Sequence, residues 1–316
     1  MTSLPKPTPE ALAHSARLLE SIRARIAESG GWLPFAAYME LALYAPGLGY
    51  YASGSAKLGA SGDFVTAPEM TPLFGRALAR QLAGVLDETG GDVLELGAGS
   101  GRLALDLLRE LEALERLPAR YLILEVSPDL RARQRALLQR EAPALLSRVA
   151  WLDALPDALT GVVLGNEVLD ALPVRLLYRA PSGEFERGVV WREGLAWEDR
   201  PLLEEPWRTW TAALPDTGGY LTEVCPAAAA LVASLGERLR HGMLLFLDYG
   251  FPAAEYYHPQ RHMGTLKVHY RHHSLDDPFH LPGLSDITAH VDFSAVAGAA
   301  TKAGLDLLGY TSQGNF

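Results

Sequence analysis

The chain has 316 residues, 48% of them hydrophobic, with 38 acidic against 28 basic side chains for a net charge of −10. That length suits one large domain or a core domain with an insertion, and the acidic balance argues against DNA or RNA as the main partner; a cationic partner fits better, and the commoner alternative is an acidic excess that only keeps the chain soluble. The single cysteine, Cys225, rules out an internal disulfide framework and a cysteine-rich zinc site, and reads as a small buried apolar residue of a reducing compartment.

The opening stretch MTSLPKPTPEALAHSARLLESIRARI lacks the apolar run of a secretory signal, and no segment reaches membrane-spanning length. The expectation is a cytoplasmic protein without membrane insertion. Thr8 is placed to cap a helix whose first turn holds Pro9 and Glu10, and Leu12, Leu18, Leu19, Ile22 and Ile26 recur near helical spacing until Gly30 and Gly31. A second helix, PFAAYMELALY, stops before Pro46 and leads into a long loop rich in Gly and Tyr. Tyr50, Tyr51 and Phe64 argue against a disordered linker.

From Pro72 the pattern alternates helix and strand: PLFGRALARQLAGVLDET, Val93 to Leu96, a helix from Arg102 to Leu114, RYLILEVS, PDLRARQRALLQRE, RVAWLDA and GVVLGNEV. Strands that are continuous apolar runs predict an α/β core with a parallel, doubly wound sheet. Short alternating stretches from Val174 to Arg200 predict an antiparallel insertion, read as a substrate-side flap over 174–218 with Trp191 and Trp197 as exposed aromatics. GYLTEVCP, a helix from Ala227 to Arg240 and the strand GMLLFLDYG then resume the core, followed by a long loop from Phe251 to Leu284. The predicted division is 1–75, 76–173 with 219–316, and 174–218. The histidines 258, 262, 269, 272, 273 and 280 have no zinc spacing, so no metal is assigned.

Glu95-Leu96-Gly97-Ala98-Gly99-Ser100-Gly101 has the spacing E-x-G-x-G-x-G, whereas the dinucleotide fingerprint is G-x-G-x-x-G. A carboxylate beside the turn repels a pyrophosphate but suits the ammonium of S-adenosylmethionine (SAM). Bare glycines let the backbone approach, and the helix from Arg102 offers amide donors to its carboxylate. Glu125 ends the second strand at the offset expected of a ribose-binding carboxylate. Asp153 ends the third, where an acidic side chain can accept from the adenine amino group. Asn166, Glu167 and Asp170 follow the fourth strand; Asn and Glu are poor strand residues and are costly to bury unpartnered, so they are expected to face a cleft. A turn-capping role is the alternative for Asp170.

The stretches FAAYMELALYAPGLGYY, GDFVTAPEMTPLFG, LELGAGSGRLA, GNEVLDALPV, LFLDYG and SDITAHVDFS, in this order over nearly the whole chain, resemble the MidA-like SAM-dependent methyltransferases. The mitochondrial member of that family is the arginine methyltransferase that assists respiratory complex I assembly. The resemblance implies a Rossmann-like class I methyltransferase core with SAM at Gly97, Gly99, Gly101 and Glu125, and a cofactor-covering segment in which Asp63, Thr66 and Glu69 belong to the site. It also implies a protein substrate with a basic side chain, a complex I subunit being a candidate, and symmetric arginine dimethylation.

An arginine substrate needs carboxylates to hold its guanidinium, for which Glu167 is the first choice and Asp170 the second. Asp292 and His290 are contributors from another wall, with a helix cap and a satisfied core histidine as their alternatives. The competing readings are a small-molecule methyltransferase, a SAM-binding assembly factor or chaperone that acts by holding a partner, and, more distantly, an NAD oxidoreductase. The family continues beyond GLDLLGYTSQGNF. With Met243 to Asp248 as the fifth core strand and Leu305 to Tyr310 as the sixth, no sequence is left for a seventh.

Overall fold

Five apolar runs form an all-parallel sheet in the computed structural model, which describes residues 4–53 and 66–316. In spatial order the strands are Leu239–Leu247, Leu159–Asn166, Asp92–Leu96, Tyr121–Leu124 and Val149–Leu152. Asp92–Leu96 is central and buried throughout, because helices cover both faces of such a sheet. Val93, Tyr121, Ile123, Val162 and Leu164 pack against Leu78, Leu82, Leu103, Leu107 and Leu111 of the helices Pro72–Thr89 and Arg102–Ala113. Leu94, Leu96, Leu122 and Val163 face the other way, toward Leu235. This is the doubly wound, Rossmann-like core read from the sequence. It belongs to one of two compact units, formed by Gly54–Val168, Leu231–Asp248 and Ala300–Phe316.

The other unit gathers Met1–Ser53, Leu169–Ala230 and Tyr249–Ala299. The flap exists as the antiparallel strands Arg175–Ala180, Gly183–Trp191 and Leu195–Pro201. Its sheet draws in two further segments. Leu33–Pro34 pairs with Gly188 and Val189, and Tyr220–Val224 pairs antiparallel with Arg175–Arg179. Tyr220–Val224 therefore does not resume the parallel core as expected; hydrogen bonding to the flap claims its backbone. The N-terminal helices Pro9–Glu28 and Phe35–Tyr44 lie in this unit too, so the helical extension shares a unit with the flap.

Other expectations change for identifiable reasons. Trp197 is not a free surface aromatic: its ring packs between Phe35 and Phe279, at centroid distances of 5.3 and 4.6 Å, and Trp191 lies under the Arg23 guanidinium. The long loop holds the strands Lys267–Tyr270 and His273–Leu275, which form a small antiparallel sheet with Asp286–Thr288 just beyond it. The helix expected from Ala227 runs over Pro226–Arg238, and the fifth core strand starts earlier, at Leu239. Leu305–Tyr310 forms no strand. Gly304 takes a left-handed φ of 84° after the helix Phe293–Lys302, and Leu305 N–H bonds back to the Ala300 carbonyl, so this stretch begins as a helix C-cap, with Leu307, Leu308 and Tyr310 exposed.

Candidate functional site

Ligands of open parallel sheets sit at the carboxyl ends of the strands, and the register sets out what stands along that edge. Leu247 pairs with Asn166, Leu96 with Gly165 and Leu124, and Leu124 with Leu152. Asp248, Asn166 with Glu167, the glycine turn, Glu125 and Asp153 thus end five neighbouring strands in that order. Gly97, Gly99 and Gly101 all adopt left-handed φ, at 59°, 54° and 84°. Side chains are strained there, which is why the turn reads as three glycines. Among the described residues, a Cβ at Gly97 would meet only the Val168 methyl, at 3.5 Å, so there the backbone is open to an approaching group. Gly101 is the N-cap of Arg102–Ala113 and supplies no side-chain cap. Arg102 N–H is taken by the Ser100 hydroxyl at 3.2 Å, and the first-turn amides that follow it are suited to an anionic group.

Two buried carboxylates flank the turn. Glu95 is 3% exposed, and the Tyr121 hydroxyl donates to its Oε2 at 2.7 Å. Burial pushes its pKa up to about 7; the Tyr121 bond opposes that rise, and the neighbouring Glu125 charge adds to it. The Glu125 carboxylate is raised by burial too, against hydrogen bonds from Ser127 N–H at 3.0 Å and Gln134 Nε2 at 3.2 Å. Arg131 ties adjacent strand ends together: Nε donates to the Glu125 carbonyl at 2.5 Å, Nη2 to the Leu152 carbonyl at 2.6 Å, and Nη1 pairs with Asp153 at 2.7 Å. Asp153 thus stands where the sequence puts it, but its 93% exposed side chain is an ion-pair partner.

Glu69, in the short helix Ala67–Met70, accepts from the Ser100 hydroxyl inside the glycine turn, so the segment from Thr66 is fastened to this site. Thr66 is the N-cap of that helix and receives Glu69 N–H on its carbonyl. Asp63 lies outside the described residues. Asn166 and Glu167 are half-buried. Glu167 has a left-handed φ of 52°, unusual for a residue with a side chain. Its N–H is held by the Leu247 carbonyl at 2.8 Å, and Asp248 accepts the following N–H, that of Val168, at 3.1 Å. An over-determined outlier at a strand end points to a functional position.

Asp170 and Asp292 belong to the other unit. Asp170 is 8% exposed, and its carbonyl accepts Ala289 N–H. Near it lie residues the sequence reading did not single out for chemistry: Tyr51 donates to Asp286 at 2.9 Å and stacks on Tyr44, whose hydroxyl bonds the Ala171 carbonyl. Burial and the nearby Asp286 and Asp170 charges hold the Tyr51 hydroxyl well above its usual pKa. Asp292 caps the helix Phe293–Lys302 through bonds from Ser294 and Ala295 N–H at 2.9 and 3.1 Å, and its Oδ2 accepts from Tyr257 at 2.9 Å. The carboxylate is engaged as a cap, which is the alternative the sequence offers for it. His290 packs on Phe251, and burial pushes its pKa down. Among the described residues no cluster of His, Cys, Asp or Glu could hold a metal ion, and no helix is long and apolar enough to cross a membrane.

The residues missed at the core site are Tyr121, Arg131, Gln134 and Trp151. Gln134 had a readable signal, a polar residue at i+4 from Leu130 and i−4 from Leu138 on one helix face.

The donor set fits SAM: side-chain-free backbone, first-turn helix amides beyond Arg102, and two carboxylates on neighbouring strands. Comparison with known proteins agrees. Residues 77–311 match the family described as "Putative S-adenosyl-L-methionine-dependent methyltransferase". A crystal structure of a Burkholderia thailandensis protein bound to S-adenosyl-homocysteine is 51% identical, covers 98% of this chain and 82% of its own, and superposes with a TM-score of 0.95. The mitochondrial protein arginine methyltransferase NDUFAF7 of Rattus norvegicus is 30% identical over 318 residues, 89% of this chain and 69% of the relative. Its Danio rerio counterpart is 29% identical over 320 residues, 88% of this chain and 70% of the relative.

Proposed function

The chain belongs to this family of S-adenosyl-L-methionine-dependent methyltransferases, and from that premise we propose that it methylates an arginine side chain of a protein, with symmetric dimethylation as the outcome. When bound, SAM supplies a methyl group made electrophilic by its sulfonium. The chain's own residues bind and orient. Glu125 receives the ribose hydroxyls, the turn from Gly97 to Gly101 lets the backbone close on the methionyl part, the first-turn amides beyond Arg102 receive its carboxylate, and Glu95 faces its ammonium. Asn166 borders the same edge, and Thr66 with Glu69 closes it from the covering segment.

A guanidinium is protonated up to a pKa above ~12 and is a poor nucleophile. Glu167 holds it through paired N–H···O bonds, draws positive charge toward one side and leaves electron density on the attacking nitrogen. Alignment of nucleophile and methyl can supply ~7–11 kcal/mol of the barrier. The observation that carries this assignment is the left-handed Glu167 at the end of the strand next to the glycine turn, pinned by Leu247. Asp170 is the second candidate. The mitochondrial relatives, protein arginine methyltransferases by name, support arginine as the acceptor, and the MidA-like resemblance supports a respiratory complex I subunit as substrate. A cytoplasmic location is part of the reading, and cell fractionation tests it. The partner-holding alternative loses the exposed aromatic flap it relies on, since Trp197 and Trp191 are packed.

The test is incubation of the purified protein with methyl-labelled SAM and an extract of cells lacking its gene, followed by mass spectrometry. Label on the arginine of one protein is the expected result. Label on a small molecule, or none while S-adenosylhomocysteine still binds, would replace this reading with one of its alternatives.

A further inference from the structure

Gln134 is fully buried in the helix Pro128–Glu141, and its carboxamide is used on both sides. Nε2 donates to the Gly99 carbonyl at 2.9 Å and to Glu125 Oε2 at 3.2 Å, while Oε1 accepts from the Trp151 indole N–H at 2.8 Å. These partners come from the glycine turn, from the end of the second strand and from the third strand. The contact is close as well as polar: a Cβ on Gly101 would lie 3.1 Å from Gln134 Cγ and 3.2 Å from its Cα. The third glycine of the turn is therefore bare partly because this helix packs against it.

The orientation of the amide is set by its surroundings. Trp151 N–H is a donor only, whereas the Gly99 carbonyl and the Glu125 carboxylate are acceptors only. Oxygen must face the indole, and nitrogen must face the turn and the acid. With its alternatives removed, the carboxamide becomes a fixed strut that sets how far the turn stands from the carboxylate.

We propose that Gln134 is a positioning residue for the cofactor: it locks the Gly99 carbonyl and the Glu125 carboxylate at one separation, so that both meet SAM without rearrangement. This rests on the reading of the edge as the SAM site. Its effect runs through Glu125, because a carboxylate held by the Ser127 N–H on one oxygen and the amide on the other presents its remaining lone pairs in a fixed direction.

The experiment is calorimetric titration of the purified full chain with S-adenosylhomocysteine, as a double-mutant cycle of Gln134→Met and Glu125→Ala. Gln134→Met keeps the length and apolar stem and removes both the donor and the acceptor. The expected result is about a tenfold loss of affinity, the size of losing a hydrogen bond to a charged group, and no further loss from Gln134→Met once Glu125 is alanine. In turnover, KM for SAM rises while kcat changes less than about twofold. A residue that only packed the helix would weaken binding equally in both backgrounds, and additive losses overturn the proposal. So does wild-type affinity in Gln134→Met. If Gln134→Met does not fold, Trp151→Phe decides. It frees the carboxamide from its anchor but keeps a ring in place, and a loss of affinity seen only when Glu125 is present supports the strut, while no loss overturns it. Failure of the underlying reading looks different: the wild type does not bind S-adenosylhomocysteine, or Glu125→Ala binds it as well as the wild type does.

Discussion

Two glutamates, one in each unit, are buried to the same degree and treated in opposite ways. Glu223, 1% exposed in the flap sheet, is surrounded by donors: Thr265 N–H at 2.9 Å, Leu266 N–H at 3.0 Å, the Thr265 hydroxyl at 3.1 Å, with the Tyr256 hydroxyl at 3.4 Å. Glu95, 3% exposed in the parallel sheet, has Tyr121 as its side-chain donor among the described residues. Burying a carboxylate is costly, and the cost is offset by saturating its lone pairs or by a ligand that does so later. Saturated Glu223 is a clamp on the loop at Thr265. Under-supplied Glu95, beside three left-handed glycines, has acceptor capacity to spare for a ligand. The position of a buried charge tells less about function than the number of its acceptor sites already in use.

Glu167→Gln is expected to have the largest effect. The amide retains shape and one acceptor but cannot balance the guanidinium charge, so methyl transfer falls by about 100-fold or more while calorimetry finds S-adenosylhomocysteine affinity within twofold. Equal loss of binding and turnover would move Glu167 from the substrate to the cofactor. Glu223→Ala comes next and acts on stability alone. It strands the Thr265 and Leu266 amides in the interior at a cost of about 2–3 kcal/mol, read from the midpoint of urea unfolding, and leaves S-adenosylhomocysteine affinity unchanged.

Glu95 makes a third prediction with two opposite signs. Its folded-state pKa of about 7 lies above the ordinary 4.5, so the folded protein binds more protons than the unfolded chain between these values. Stability of the ligand-free protein therefore falls as pH rises through that window. Affinity for a ligand carrying an ammonium rises over the same range, because the ionised form is the better partner, by about tenfold from pH 6 to pH 8 for a group titrating near 7. Glu95→Gln should flatten both profiles. A flat affinity profile in the wild type would separate Glu95 from the ligand.

The sequence shows the core site because its signals are local. A glycine triplet follows an apolar strand, and single acids end the next strands. The parallel sheet and its residues Glu95, Glu125 and Glu167 are readable this way. Residues acting from a distance are not. Tyr121 reaches Glu95 from the neighbouring strand, and Trp151 reaches Gln134 across a 17-residue separation, through pairings that depend on register. Tyr220–Val224 is a short strand that mixes apolar residues with Thr222 and Glu223, so its sequence fits either sheet and only its partner decides. Asp286 gave no signal of its own, since its partner Tyr51 is 235 residues away. Asp153 is the converse: a local signal that was readable, at a strand end where tertiary structure supplies Arg131 as a partner.

The smallest expected effect bears on Asp292, where local and functional explanations compete most directly. A catalytic carboxylate and an N-cap carboxylate look alike in sequence, as an acid before a helix. They differ in what removal costs. Here Oδ1 accepts from Ser294 and Ala295 N–H and Oδ2 from the Tyr257 hydroxyl. Asp292→Asn retains a competent cap, so stability should hold within about 0.5 kcal/mol, whereas Asp292→Ala should lose about 1 kcal/mol. Neither should change kcat by more than about twofold, because an oxygen engaged in a cap contributes through the helix it starts and not through charge at the reacting atoms. If Asp292→Asn instead abolished turnover at unchanged stability, the charge itself would be required. Its bond to Tyr257 would then be the means of orienting that charge.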